Sequence, residues 1–318
     1  MEFSGIDNMR LRTFLFWFLG FSVFIIIYKL NAIESDVEKL RFLKETLSLN
    51  KQQLQLTEHQ LQLIEHLYQN KVGQGLPIIY AITPTYWRHV QKAELTRVSQ
   101  TLALVPNIHW IVIEDSEERT ELVTNLLNDS KVVYTHLNAK TPPFEKLQKK
   151  EERWTKHRGI EQRNAGLQWL RDNLELGRDK GIVYFMDDDN TYSVKLFHEI
   201  SKVKRVGVWP VGLVGGLNAE APIVSGGVVT GWKTGWRSNR EFATDMAGFA
   251  INLNLILEKT NAGFSYKMEH GLLESEFLSY FTTKAELEAL ADGCTKVYVW
   301  HTRTETPTVK GTIPYLEV

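Results

Sequence analysis

The chain has 318 residues, with 37 basic and 38 acidic side chains and a net charge of -1. A balance this near zero excludes a protein that grips nucleic acid by bulk electrostatics, and the length allows one large domain or two small ones with an ample core. Nine Trp and eleven Tyr suit stacking on sugar rings and bases, and a single cysteine excludes an intrachain disulfide. That cysteine, Cys294, reads as a small buried hydrophobe or as half of an intermolecular bridge.

Thr13 to Tyr28 is an uncharged apolar stretch preceded by Arg10 and Arg12. It is shorter than the ~20 residues of a typical span, a length that thin early-secretory membranes tolerate. The sequence that follows, Lys29-Leu30-Asn31-Ala32-Ile33-Glu34, offers no small-residue cleavage site. An uncleaved signal anchor is therefore expected rather than a removed signal peptide. The basic flank is N-terminal, which predicts a cytoplasmic tail over 1–12, a transmembrane anchor over 13–30 and a luminal remainder.

Residues 34–70 change character, polar, glutamine-rich and free of Gly and Pro, and 31–76 reads as a stem. Leu40, Leu47, Leu54 and Leu61 fall seven apart, with Leu43, Asn50, Thr57 and Ile64 in the intervening seam. A parallel coiled coil, and hence a homodimer, accounts for that heptad; a single solvated amphipathic helix is the alternative. Gly73 and Gly75 mark a hinge.

From Pro77 onward strand-like and helix-like segments alternate. Strands are predicted at Pro77–Thr83, His109–Glu114, Val132–Leu137 and Gly181–Met186, and helices at Gln91–Leu104, Glu118–Asn128 and Gly159–Leu174. The rhythm predicts an α/β fold with a mostly parallel, Rossmann-like sheet. No GxGxxG follows the first strand and no Walker A is present, so neither a dinucleotide nor a P-loop site is supported. Residues 138–157 read as a charged loop. Beyond Asp189 the rhythm breaks, and Val203–Val211 and Ile223–Trp232 read as strands of a mixed sheet. Asn128-Asp129-Ser130 is a glycosylation sequon, plausible on a luminal surface.

The strand Gly181–Met186 runs straight into Asp187-Asp188-Asp189. Adjacent carboxylates repel one another, so their pKa values rise unless something positive sits among them. A divalent cation is the simplest resolution, since oxygen ligands suit hard ions, and the carboxyl end of a strand is where open α/β sheets bind ligands. The triplet is read as holding a metal and a diphosphate; an acidic loop after a core strand is the plainer alternative.

Five stretches carry a resemblance: Ile82-Thr83-Pro84-Thr85-Tyr86, Arg158-Gly159-Ile160-Glu161-Gln162-Arg163-Asn164, the aspartate triplet, Asp245-Met246-Ala247-Gly248-Phe249-Ala250, and Trp300-His301-Thr302-Arg303-Thr304-Glu305. Together they resemble the inverting β-1,3-glucuronyltransferases, Golgi enzymes that transfer glucuronic acid from UDP-glucuronate to terminal galactose. The resemblance implies a GT-A fold, with a UDP-sugar-binding half over 77–190 and an acceptor-binding half over 191–318. It implies donor contacts from Pro84, Tyr86, Asp115, Arg158, Arg163, Asp187, Asp188, His301 and Arg303, and a Mn²⁺ ion held by Asp189. Tyr86 would stack on uracil, and guanidinium groups at a helix start favour an anionic ligand. Asp115 also reads as a helix N-cap.

On the acceptor side the resemblance implies Glu220, Trp236, Arg240 and Asp245, as sugar-hydroxyl partners and an indole platform. It makes Glu274 the general base that takes the proton from the acceptor hydroxyl. Glu276 competes for that role but lies ~200° further round the helix. A helix-start position is expected to lower the pKa of Glu274. The acceptor expected is a galactose-terminated glycan on protein, the Gal-Gal-Xyl linker of proteoglycans or an N-acetyllactosamine end. Rival classes are a GT-A transferase using another UDP-sugar, a metal-dependent phosphohydrolase, and an inactive luminal sugar-binding protein.

Overall fold

The computed structural model describes residues 22–23, 36–58, 60, 75–147, 151 and 155–309, and the chain divides into two units at Ile64/Glu65. In the first unit, residues 36–58 are helical, and Leu40, Leu43, Leu47 and Leu54 stand 59–66% exposed. A single chain thus leaves the apolar seam of the heptad in water. Leu61 and Ile64 of that seam, and the expected anchor at 13–30 apart from Ser22 and Val23, lie outside the described residues. Among the described residues no helix is long and apolar enough to cross a membrane.

The second unit is built on a seven-stranded sheet of order β11-β6-β10-β4-β1-β2-β3, whose edge strand β11 is Glu288–Ala289. Strands β1 (Ile78–Thr85), β2 (Ile108–Glu114), β3 (Tyr134–Asn138) and β4 (Gly181–Phe185) are all parallel. Their residues alternate between two cores: Ile79, Ala81, Ile182 and Tyr184 face one, and Tyr80, Ile82, Val183 and Phe185 the other. Burial on both faces explains why these strands read as continuous apolar runs rather than alternating ones.

Helices α1 (Gln91–Leu102), α2 (Glu121–Asp129) and α4 (Val194–Ile200) cover the first face through Leu95, Val98, Val123, Leu127 and Phe197. The second face lies under α3 (Ile160–Asn173), α5 (Leu253–Glu258) and α6 (Leu273–Leu278) through Ile160, Leu167, Leu170, Ile256 and Phe277. The predicted helices α1, α2 and α3 differ from these bounds only at their ends. The N-cap of α2 is Thr120, whose hydroxyl accepts from Val123 N–H. Asp115 is therefore not a helix cap.

Two expectations for the second half are corrected. The single strand expected over Val203–Val211 is two short ones, β6 (Val206–Val208) in the large sheet and β7 (Val211–Gly212) in a second sheet. The chain changes sheets at Trp209-Pro210, which no hydrophobic period reveals. The strand expected over Ile223–Trp232 is a hairpin of β8 (Ala219–Ser225) and β9 (Val228–Lys233). Its turn is Gly226-Gly227, with φ +57° and +83°. Two successive positive φ values are what a type I′ hairpin turn requires and glycine supplies.

The second sheet has the order β5-β12-β7-β8-β9. In it β12 (Val299–Trp300), near the end of the described chain, lies between β5 (Thr191–Tyr192) and β7. In the large sheet β10 (Phe249–Asn252) runs antiparallel to β4, with Ala250 opposite Tyr184. The N-terminal end of β10 therefore meets the carboxyl end of β4. Cys294 is buried and free, its thiol pointing at the Val208 carbonyl and its pKa pushed up to about 12 by burial.

Helix α3 lies so close to β1 that a Cβ on Gly166 would stand 2.8 Å from Ile82 Cγ2. Gly166→Leu gains up to ~1 kcal/mol of helix propensity but overfills this contact, at a typical cost of 1–3 kcal/mol. The expected outcome is a lower denaturation midpoint, read by urea titration at constant m.

Candidate active site

The ends of β1, β2 and β4 and the start of β10 share one edge, and most of the expected site residues collect there. Asp188 is buried; it accepts from Thr85 Oγ1 at 2.6 Å and pairs with Arg88 Nη2 at 2.7 Å. Burial pushes its carboxyl up to about 6, with the Arg88 guanidinium and the Thr85 hydroxyl pulling the other way. Asp187 accepts from Arg163 Nη2 at 2.7 Å, and Arg163 Nη1 also donates to the Arg158 carbonyl at 2.8 Å. Two of the three carboxylates thus meet a guanidinium, which offsets part of the mutual repulsion at Asp187 and Asp188. Among the described residues no group of three His, Cys, Asp or Glu side chains is arranged to hold a metal.

Asp189 is different. Its backbone carbonyl accepts from Arg97 Nη2 at 2.8 Å and Thr302 Oγ1 at 2.7 Å. Its carboxylate makes no such bond among the described residues. Burial raises its pKa, as do the charges of Asp187 and Glu94, while His301 and Arg88 oppose the rise. A partly desolvated carboxylate with no hydrogen-bond partner among the described residues is a donor that fits a divalent cation.

His301 and Arg303 reach this edge from β12. The backbone N–H of His301 donates to the Gly212 carbonyl at 2.9 Å, Arg303 Nη2 lies 3.4 Å from His301 Nε2, and His301 Nδ1 stands 3.5 Å from Asp245 Oδ2. A cavity of about 550 Å³ opens beside His301 and Arg303, with the 213–216 turn as its other wall. Asp245 caps the short helical turn Met246–Gly248, accepting from Ala247 N–H at 3.0 Å. Burial raises its pKa and the proximity of His301 opposes that rise.

The remaining donor-side residues are more open. Pro84 lies in β1, and Tyr86 just beyond it is 47% exposed, with the Arg88 guanidinium 4.6 Å above its ring. Asp115 follows β2 and accepts from Thr141 N–H at 2.7 Å, with Lys146 Nζ at 3.5 Å. Arg158 is exposed on the approach to α3. Asn128 is exposed in α2, where the Tyr134 hydroxyl donates to its side chain.

On the acceptor side, Glu220 of β8 is buried and accepts from the Thr234 hydroxyl and from Gly235 N–H, with Arg240 Nη2 at 3.9 Å. Trp236 is 44% exposed, its ring flanked by the guanidinium groups of Arg237 at 5.0 Å and Arg240 at 5.1 Å. Such contacts hold an indole at a defined angle.

Glu274 sits in the first turn of α6 and is half-buried. Burial pushes its carboxyl up to about 7, Asp245 adding to the rise and Arg240 and Arg163 opposing it. The expected lowering by the helix start is thus reversed: a six-residue helix has too small a dipole to outweigh desolvation. Glu276 turns elsewhere, accepting from Glu269 N–H at 3.1 Å on the wall of a separate cavity of about 430 Å³.

Arg88 is the residue that sequence reasoning passed over. It joins Asp188, Glu94, the Tyr86 ring and the Tyr86 carbonyl. Its position just after Tyr86 in the loop leaving β1 was the available signal.

A parallel sheet ending in this carboxylate–arginine cluster, faced by a second sheet with its own buried carboxylate and indole, defines a transferase with a donor side and an acceptor side. The chain belongs to glycosyltransferase family 43, whose model matches residues 98–305. The galactosylgalactosylxylosylprotein 3-beta-glucuronosyltransferase I of Drosophila melanogaster is 52% identical over 239 residues, 73% of this chain and 78% of the relative. The sqv-8 enzyme of the same name from Caenorhabditis elegans is 49% identical over 239 residues, 74% of this chain and 67% of the relative. The human galactosylgalactosylxylosylprotein 3-beta-glucuronosyltransferase 3 is 50% identical over 246 residues, 74% of this chain and 73% of the relative. Among solved structures, S. aureus TarS 1-349 superposes at a TM-score of 0.46 with 15% identity, over 71% of this chain and 60% of that one.

A carboxyl raised from 4.5 to about 7 by folding favours the fold while protonated. Its contribution is complete below 4.5 and lost as pH rises through about 7, at most about 3 kcal/mol at ~1.4 kcal/mol per unit. Glu274→Gln does not titrate. The ligand-free variant is therefore expected to be more stable than wild type above pH 7, and equal to it near pH 4.5, by denaturant unfolding at both values.

Proposed function

We propose that this chain is an inverting glucuronyltransferase that moves glucuronic acid from UDP-glucuronate, in β-1,3 linkage, to the terminal galactose of the Gal-Gal-Xyl linker of proteoglycans. The observation that carries the mechanism is Asp245, which lies 3.5 Å from His301 and whose charge raises the pKa of Glu274. The proposed base and the proposed leaving-group residue thus share one partly buried carboxylate as neighbour. The relatives' names support the choice of donor and acceptor.

Tyr86 and Asp115 take the uracil, and Pro84 shapes the turn beneath it. Arg163 fixes Asp187, Arg88 fixes Asp188, and these two aspartates contact the nucleoside. Asp189 is the residue that would hold Mn²⁺; bound there, the ion neutralises charge on the departing diphosphate. His301 and Arg303 stabilise that same charge with donors already aimed into the cavity. Arg158 meets the glucuronate carboxylate.

The acceptor galactose lies on Trp236, its hydroxyls held by Glu220, Arg240 and Asp245. Glu274, with a pKa near 7, accepts the proton of the attacking hydroxyl as the anomeric bond forms on the face opposite the diphosphate. No covalent intermediate is needed. The proposal includes a Golgi-membrane anchor over 13–30, a luminal catalytic unit and a homodimer through the stem.

Variants, pH, products and metal removal each test this reading. Glu274→Gln should lose about 10²-fold or more in turnover while binding UDP normally, and Glu276→Gln should remain near wild type. The rate should fall as pH drops below about 7, because the base is then protonated. Incubation with UDP-glucuronate and either Galβ1-3Gal or Galβ1-4GlcNAc, with product analysis, separates glycoside formation from hydrolysis and ranks the two acceptors. Asp189→Ala should abolish the strengthening of UDP binding by Mn²⁺ in calorimetry, and excess EDTA should stop turnover; full activity in EDTA would overturn the metal assignment.

A further inference from the structure

The helix that carries Glu274 does not hold its own first turn. Helix α6 has six residues, and its N-cap, Leu272, offers no side-chain cap. From Ser275 onward it is anchored in the core: Ser275 Oγ bonds the Phe242 backbone in both directions, and Phe277 stacks on Phe264 at 4.3 Å. Glu274 is the residue just before that anchor, so it is held between Ser275 on one side and the 268–272 turn that leads in on the other.

Three groups pin that turn from outside. His157 is buried, donates from Nε2 to the Met268 carbonyl at 2.8 Å, and stacks on the His270 ring at 4.3 Å and 21°. Arg237 Nη1 donates to the His270 carbonyl at 3.1 Å. Gly271, at φ +79°, passes so near the Trp236 indole that a Cβ there would lie 1.8 Å from the ring. The turn is therefore clamped between the acceptor platform and His157. His157 in turn precedes Arg158, whose carbonyl accepts from Arg163, the partner of Asp187.

We propose that His157 is a positioning residue for the transfer reaction, locking the 268–272 turn, and with it Glu274, to the donor side of the site through its stack on His270 and its bond to Met268. The inference rests on Glu274 being the base. A misplacement of about 1 Å at a reacting group costs up to ~10²-fold in rate, so a side chain that touches neither substrate can govern turnover.

The test uses the whole enzyme with UDP-glucuronate and Galβ1-3Gal. His157→Ala should lower kcat roughly 10-fold to 10²-fold while the Kd for UDP stays within about twofold. His157→Phe keeps the stack without the bond and should recover part of the loss. His157→Ala and His270→Ala remove the same stack, so the double variant should be far less impaired than the product of the single effects. His270 is exposed, so His270→Ala reads the stack alone should His157→Ala fail to fold. Unchanged kcat in His270→Ala and His157→Ala, multiplicative losses, or a kcat loss matched by an equal loss of UDP affinity would each overturn the proposal. Glu274→Gln is run beside them: an active Glu274→Gln enzyme refutes the base assignment, whereas an inactive one beside a fully active His157→Ala refutes only the clamp.

Discussion

Three aspartates can end a core strand only if their charge is compensated where water is scarce, and the site is organised around how that is done. Arg88 comes from the loop after β1 and Arg163 from the first turn of α3, each bringing a guanidinium to one carboxylate at 2.7 Å. Breaking a pair this buried leaves the partner's charge unpaired, at a typical cost of 3–5 kcal/mol. The pairs also decide geometry. With Asp187 and Asp188 committed to arginines, Asp189 alone of the three has a carboxylate without an ion pair among the described residues.

The second sheet supplies what the first lacks. A purely parallel sheet would end in carboxylates and loops, with nothing opposite them. The short pairing of Trp300 with Thr191 and Gly212 carries His301 back to residues 110 and 89 positions earlier in the chain. The Thr302 hydroxyl closes the junction by donating to the Asp189 carbonyl. Glu220, opposite Val211 on β8, enters through the same sheet. His301 and Glu220 are thus held by one set of backbone pairings, and a shift in that sheet moves both.

Crowding of acids around Asp245 has a cost as well as a use. Asp245, Asp188 and Glu274 all carry pKa values raised first by burial. Each disfavours the folded state once ionised, which is the sense in which sites tuned for reaction are taken from the fold's stability. A carboxylate near 7 suits a base working near neutrality, whereas a well-solvated Glu would be too weak a proton acceptor.

The strands β1 to β4 and helices α1 to α3 were legible because burial on both faces writes itself as apolar runs and helical periodicity, both local properties. The aspartate triplet was legible for the same reason: it interrupts such a run. The break at Gly226-Gly227 was missed as a hairpin although its residues allowed it, because flanking valines continue the strand pattern. Other features have no local signature. The change of sheet at Trp209-Pro210, the arginine chosen by each aspartate, and the stack of His157 on His270 join residues 24 to 113 positions apart. The direction of the Glu274 pKa was misjudged because a helix start is visible in sequence and desolvation is not. Local pattern determined which segments could be buried; only the packed molecule decided which charges share that burial, since a Coulomb interaction depends on distance in space and dielectric, and neither is a property of position along the chain.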